Sequence, residues 1–239
     1  MQQKYLGRDE VGGVEVFMRQ MLATILPYGI VFGSVLLKLP QIVKILRNHS
    51  ADGISIISLV VELMSCVISS SWGIARSLMF KDYGESTLIM IEMFLLLLIV
   101  GCMQRKLLIT VLVFIVAVFL LVFMSAGYAP RNIHEGMLRL QIFFALGSRI
   151  PQIVINYQNK STGQLSALTF FLAMSGGISR LLTTFHNIPS DKGRDIMLTQ
   201  FGVVVFLNFV IVMQCILYKA ADRRQVGTTE AKAVVKKNN

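Results

Sequence analysis

The chain has 239 residues, of which 54% are hydrophobic and only 15% charged, and its mean hydropathy is +0.66. That balance excludes a water-soluble globular domain, in which about 25% of residues are charged, and a disordered chain, which needs low hydrophobicity. The net charge of +10 then reads as the basic loops and tails of a membrane protein, so the implied partner is membrane lipid and no nucleic acid is expected.

Residues 1–20 mix Lys4, Arg8 and Arg19 with Asp9, Glu10 and Glu15. They form no basic leader, so the expectation is a first span that stays in place as an anchor. Seven stretches are long and apolar enough to cross a bilayer: 21–46, 54–79, 86–103, 107–128, 137–157, 165–185 and 196–218. They carry no period-two alternation, which predicts helices and not barrel strands. The first span holds Lys38, Pro40 and Gln41, and the second holds Glu62. The third, with Glu92, is parted from the fourth only by Gln104, Arg105 and Lys106, which is a tight helical hairpin. The fourth carries no charge, as a lipid-facing helix should. The fifth holds Gln141, Arg149, Pro151, Gln152 and Asn156, the sixth Arg180, and the seventh Gln200, Asn208 and Gln214. After Tyr218 the chain turns polar and basic.

A repeat organises these spans. Pro40-Gln41-Ile42-Val43 recurs as Pro151-Gln152-Ile153-Val154, and at the same offset Lys38 meets Arg149, Asn48 meets Asn159, Ser50 meets Ser161 and Ser55 meets Ser166. Four spans separate the two starts, so both copies enter the membrane in the same direction. The fold class expected is therefore all-α and integral to the membrane: seven transmembrane helices, two parallel three-helix repeats and a linker helix (3+1+3). The expected divisions are an N-terminal segment 1–20, a first unit 21–103, a linker helix 104–129, a second unit 130–218 and a basic tail 219–239.

Two Pro-Gln motifs in two three-helix units resemble the PQ-loop family, which includes the SWEET sugar transporters, the lysosomal cystine exporter and the KDEL-receptor fold. KLPQIVKILRNHSADGISIISLVVELMS, NYQNKSTGQLSALTFFLAMSGGISRLLTTF and the TGQLSA stretch from Thr162 to Ala167 narrow the resemblance. They are similar to the endoplasmic-reticulum branch needed for using dolichol-phosphate-mannose and dolichol-phosphate-glucose as sugar donors. The likeness covers about residues 22–218. It implies a role in lipid-linked oligosaccharide synthesis, N-glycosylation and GPI-anchor synthesis. Dolichol-phosphate sugars and luminal glycosyltransferases are the implied partners.

Seven spans put the termini on opposite sides. Lys and Arg lean slightly toward the C-terminal side, which predicts a cytoplasmic C-terminus and a luminal N-terminal segment. Lys236 and Lys237 stand four and three positions from the end, resembling a di-lysine retrieval signal that coat proteins read in the cytoplasm. Both sequons, Asn48-His49-Ser50 and Asn159-Lys160-Ser161, then face the cytoplasm and stay bare.

Proline inside a helix removes a backbone hydrogen bond, so Pro40 and Pro151 read as matched kinks, with Gln41 and Gln152 placed to donate to the freed carbonyls. Lys38 and Arg149 are either snorkelling cations or an anion-facing pair. Glu62 is a partner for Lys38. Arg180 meets Ser69 at the repeat offset and breaks the symmetry; it is either a donor to backbone carbonyls or a fork for a phosphate. Asn156 and Asn208 are polar candidates for a cavity, and interhelical hydrogen bonding is the alternative for each. Gly33, Gly147, Gly176 and Gly177 are expected to permit close helix approach, and Trp72 to sit near a membrane interface. Cys66, Cys102 and Cys215 lie in apolar stretches and read as buried small hydrophobes. His49, His134 and His186 read as loop residues far apart, and no catalytic motif appears. No enzyme, catalytic residue, metal or cofactor is expected. Three functions remain: a lipid-donor helper, a small-solute transporter working by alternating access, and a scaffold for a glycosyltransferase.

Overall fold

The computed structural model describes residues 13–36, 38–51, 54–162 and 167–218, and these contain helices, turns and no strand. Lys236 and Lys237, the first twelve residues and most of the TGQLSA stretch lie outside the described residues. Seven helices are long and apolar enough to span a membrane: α1 Gly13–Asn48, α2 Ile56–Ala75, α3 Phe80–Met103, α4 Leu107–Ser125, α5 Arg131–Asn159, α6 Ala167–Asn187 and α7 Arg194–Leu217. Helix α1 is pieced together from a π turn at Met21–Ile25, a segment Leu26–Ser34 and a second segment Leu39–Asn48.

Helices α3 and α5 run past the apolar windows at which the sequence predicts they start. Lys81, Asp82 and Glu85 belong to α3, and Arg131, His134 and Glu135 to α5. Hydropathy marks the lipid-buried part of a helix, whereas the backbone ladder continues through polar residues wherever N–H and C=O groups still pair.

The chain forms two compact units. The first takes residues up to Leu138 together with Leu182–Ile196; the second takes Arg139–Leu181 and the chain from Met197. The core of the first is a stripe on α2 (Leu59, Leu63, Val67) packed on a stripe of α3 (Met93, Leu96, Leu97, Val100), with Ile42 and Ile45 of α1 and Ala117 of α4 closing it. The spacings of three, four and seven residues put each set on one helix face. Ser55 starts α2 by accepting the Ser58 N–H at 3.3 Å.

Helix α4 packs on α2 and α3. It buries Thr110, Ala117 and Met124, one face at seven-residue spacing, and exposes Leu108, Ile115 and Phe119. At Gly101 a Cβ would lie 2.0 Å from Thr110 Oγ1, so only glycine lets α3 and α4 approach this closely. In the second unit a smaller core joins Phe170 of α6 to Ile211, Val212 and Cys215 of α7, with Ile153 of α5 against it.

Several expectations are corrected here. His134 lies in the first turn of α5 and His186 in the last turn of α6, so neither is a loop residue; His134 is 1% exposed. Trp72, in the last turn of α2, is fully buried. Its ring meets His134 edge-on at 4.9 Å, and its Nε1–H donates to the Lys192 carbonyl at 3.1 Å. Cys102 is exposed, because its face of α3 points away from the core, while Cys215 is buried. Of the glycines expected at helix contacts, Gly177 is one, since a Cβ there would meet Val205 at 2.6 Å. Gly33, Gly147 and Gly176 have no neighbour within 4 Å of such a Cβ among the described residues.

Candidate functional site

In the first unit the Pro-Gln motif follows a break in α1. Val35 and Leu36 turn, the Leu36 N–H closing on the Gly33 carbonyl at 3.1 Å, and a fresh helical segment begins at Leu39 with Lys38 as its N-cap. Pro40 therefore stands in a first turn, where its missing N–H costs no helical bond. The matched-kink expectation is corrected at this point: Pro40 starts a helix, and only Pro151 lies inside one. Lys38 and Glu62 come together as expected, Nζ to Oε1 at 2.5 Å, with the lysine side chain 17% exposed and the glutamate 42%. The pair ties the break in α1 to α2.

Gln41 lines a cavity of about 320 Å³ with Lys44, Ile45, Asn48, Ser50 and Ile54. Sequence reasoning passed over Lys44, whose only signal was its place one helical turn after the proline. Gln104, read from sequence as a mere hairpin residue, donates from Nε2 to the Ala51 carbonyl at 3.0 Å and to the Ile54 carbonyl at 2.9 Å. It thereby clamps the connection between α1 and α2. Both oxygens of Glu92 in α3 are buried without a hydrogen-bond partner among the described residues.

In the second unit the polar residues form a relay. Gln152 Nε2 donates to Asn156 Oδ1 at 2.8 Å, Asn156 Nδ2 to Gln214 Oε1 at 2.9 Å, and Gln214 Nε2 to the Ile153 carbonyl at 2.9 Å. The relay spans α5 and α7 just past Pro151. It corrects the reading of Gln152, whose amide donates one turn along its own helix to Asn156. Pro151 leaves the Gly147 carbonyl without its usual i+4 donor. Further along, Gln200 Nε2 donates to Gln141 Oε1 at 2.7 Å.

Asn208 is fully buried. Its Nδ2 donates to Val204 O within α7 at 2.8 Å, and its Oδ1 has no partner among the described residues. Asn156 and Asn208 share no hydrogen bond; each takes the partners its own position offers. The Arg149 guanidinium lies over the Phe170 ring at 5.2 Å, joining α5 to α6. Arg180 is 8% exposed, and its side chain is engaged. Among the described residues no group of three or more His, Cys, Asp or Glu side chains is arranged to hold a metal ion.

The pattern described as PQ loop repeat matches residues 22–82 and 133–192, together half of the chain. Over 89 residues the chain is 32% identical to a cystine transporter of Saccharomyces cerevisiae, a stretch that is 34% of this chain and 34% of the transporter. The chain thus spans about a third of that relative's length. No solved structure matches. Two Pro-Gln segments at the same end of α1 and α5, seven membrane-length helices and a repeat match over both halves lead to one conclusion: the chain belongs to the PQ-loop repeat family of multi-pass membrane proteins.

Proposed function

We propose that this protein serves the use of dolichol-phosphate-mannose and dolichol-phosphate-glucose as sugar donors. It acts in the endoplasmic-reticulum membrane as a non-enzymatic partner of luminal glycosyltransferases, with its C-terminus in the cytoplasm, where coat proteins read Lys236 and Lys237. One observation carries this reading: the stretches 38–65 and 156–185 resemble mannose-P-dolichol utilization defect 1 proteins, TGQLSA included.

The polar chemistry is compatible with an anionic lipid head group. Lys38 is neutralised by Glu62, and Arg149 of the second unit, whose guanidinium lies over the Phe170 ring, is the candidate to face a phosphate. A guanidinium has the planar fork that suits two phosphate oxygens. The test is a profile of lipid-linked oligosaccharides in cells lacking the protein. The expected result is accumulation of intermediates stalled where dolichol-phosphate-mannose is first needed, reversed by re-expression. A normal profile would sink the reading.

Small-solute transport by alternating access is the second reading, favoured by the likeness to a cystine transporter. In that case the Asn156 relay and Asn208 line the solute path. Cystine uptake by proteoliposomes holding the full-length chain would move the assignment there, provided the oligosaccharide profile is normal.

A further inference from the structure

A second cavity, of about 340 Å³, lies wholly in the first unit at the end where α2 turns into α3 and α6 passes into α7. Lys81, Asp82, His186, Asn187, Lys192 and Ser77 are among its lining. Its size is at the lower end of ligand pockets, which run from about 300 to 1,000 Å³.

Two lysines face this space, and backbone carbonyls hold both. Lys81 Nζ donates to Ala23 O, and Lys192 Nζ to Ser77 O at 3.4 Å. An ammonium has three donors, so each lysine is aimed by one bond and, among the described residues, keeps two for a ligand. Among the described lining residues the one carboxylate is Asp82, whose Oδ1 accepts from Asn187 Nδ2 at 3.3 Å. His186 Nδ1 meets Asn187 Oδ1 at 3.0 Å, a contact suited to the Nδ1–H tautomer, in which Nε2 accepts.

The wall is built in advance. The 188–193 connection is pinned at two successive carbonyls: Arg131 donates to Asp191 O at 2.6 Å, and the buried Trp72 indole donates to Lys192 O at 3.1 Å. Gly193, at φ +82°, lies so close to Trp72 that a Cβ would meet the ring at 2.5 Å. Asn187 Nδ2 also reaches Leu22 O at 3.4 Å, which fastens α6 to α1. Fixed side chains on a fixed loop keep the ordering cost of binding low.

Two ammoniums with spare donors call for a multivalent oxyanion. An adjacent carboxylate and an acceptor nitrogen would repel a bare dianion and reward hydroxyl donors beside it. We propose that this cavity binds a glycosyl or polyol phosphate ester. Its phosphate sits between Lys81 Nζ and Lys192 Nζ, and its hydroxyls donate to Asp82 and His186. The site stands on this chemistry alone. The donor reading above would supply one member of the class, a polyisoprenyl glycosyl phosphate, and its orientation would turn the cavity to the lumen. A soluble sugar phosphate has the same head group.

The test is binding to the purified full-length chain in detergent, using mannosyl phosphate, mannose without phosphate, and geranyl phosphoryl mannose. Both phosphate probes, or the lipid-linked one alone, should bind, and mannose should not. Lys81→Gln and Lys192→Gln should each weaken binding about 10-fold, the loss of one charge-assisted hydrogen bond. Lys106→Gln, at the other end of the unit, should leave it unchanged. Lys81→Arg, which can retain the bond to Ala23 O, should restore it, and this guards against a Lys81→Gln variant that merely folds poorly. Tight binding of the soluble probe would mark a head-group site; binding of the geranyl probe alone would mark a lipid site. No binding of either phosphate probe, or equal binding by the glutamine variants, overturns the inference. That result leaves the donor reading standing if the oligosaccharide profile is defective. Binding through the two lysines with a normal profile keeps the site and removes the donor reading.

Discussion

At the residue scale the Lys38–Glu62 pair shows how a charge is housed near membrane depth. Lys38 caps a helical segment and is 17% exposed in its side chain, so a charge there needs a partner, and Glu62 on α2 supplies it at 2.5 Å. A pair of this partial burial falls between an exposed pair, worth about 0–1 kcal/mol, and a buried one, whose breaking costs about 3–5 kcal/mol. Glu62→Leu alone should therefore destabilise the protein by about 1–3 kcal/mol, read from thermal unfolding in detergent. Lys38→Met combined with Glu62→Leu should regain most of that loss, because no stranded charge remains. Equal losses in single and double variants would show that the pair has no coupling. This contact was legible in the sequence, since a helix end on one span comes beside its antiparallel neighbour. The Gln152–Asn156–Gln214 relay was legible only as three polar residues in apolar stretches. Which amide donates to which depends on the rotation of α5 and α7, and spacing along one helix does not contain that.

At the element scale the two Pro-Gln motifs share a sequence and differ in structure. Pro40 occupies the first turn of Leu39–Asn48 after a break, whereas Pro151 interrupts the bond ladder inside α5. Pro40→Ala should change stability by no more than about 0.5 kcal/mol. Pro151→Ala restores an N–H for the Gly147 carbonyl and should raise stability by up to about 3 kcal/mol. Comparing the two unfolding midpoints in detergent checks this, and equal effects would mean that the motifs are structurally equivalent. If bending at Pro151 also serves function, the more stable Pro151→Ala chain should restore the oligosaccharide profile less well than Pro40→Ala. Proline alone signals a constraint at φ. Whether it starts a helix or interrupts one is set by the preceding turn, here Val35 and Leu36 in the first copy and unbroken helix in the second.

At the scale of the whole molecule, seven spans and a parallel repeat place Asn48 and Asn159 at the same end of their helices. The proposed orientation turns that end to the cytoplasm, where neither sequon meets the glycosylation machinery. Glycosidase treatment of the protein from cells should leave its gel mobility unchanged. A shift abolished by Asn48→Gln or Asn159→Gln would invert the orientation and carry the Lys81–Lys192 cavity to the cytoplasmic side.

The number of spans, their helical nature, the parallel repeat and the family all follow from the linear chain. Each rests on one-dimensional information: the length of an apolar run, the period of its pattern, and the recurrence of Pro-Gln at a fixed offset. The tertiary structure alone decided that Trp72 and His134 pack together in a buried cluster, that Gln104 clamps a distant connection, and that Lys81 and Lys192 share a cavity. These groups lie far apart along the chain, and only the packing of helix ends brings them within reach of one another. Hydropathy also registers that a residue is polar without registering which neighbour satisfies it. In a membrane protein that partner is supplied by the protein itself, from the same helix or another, because lipid cannot supply it.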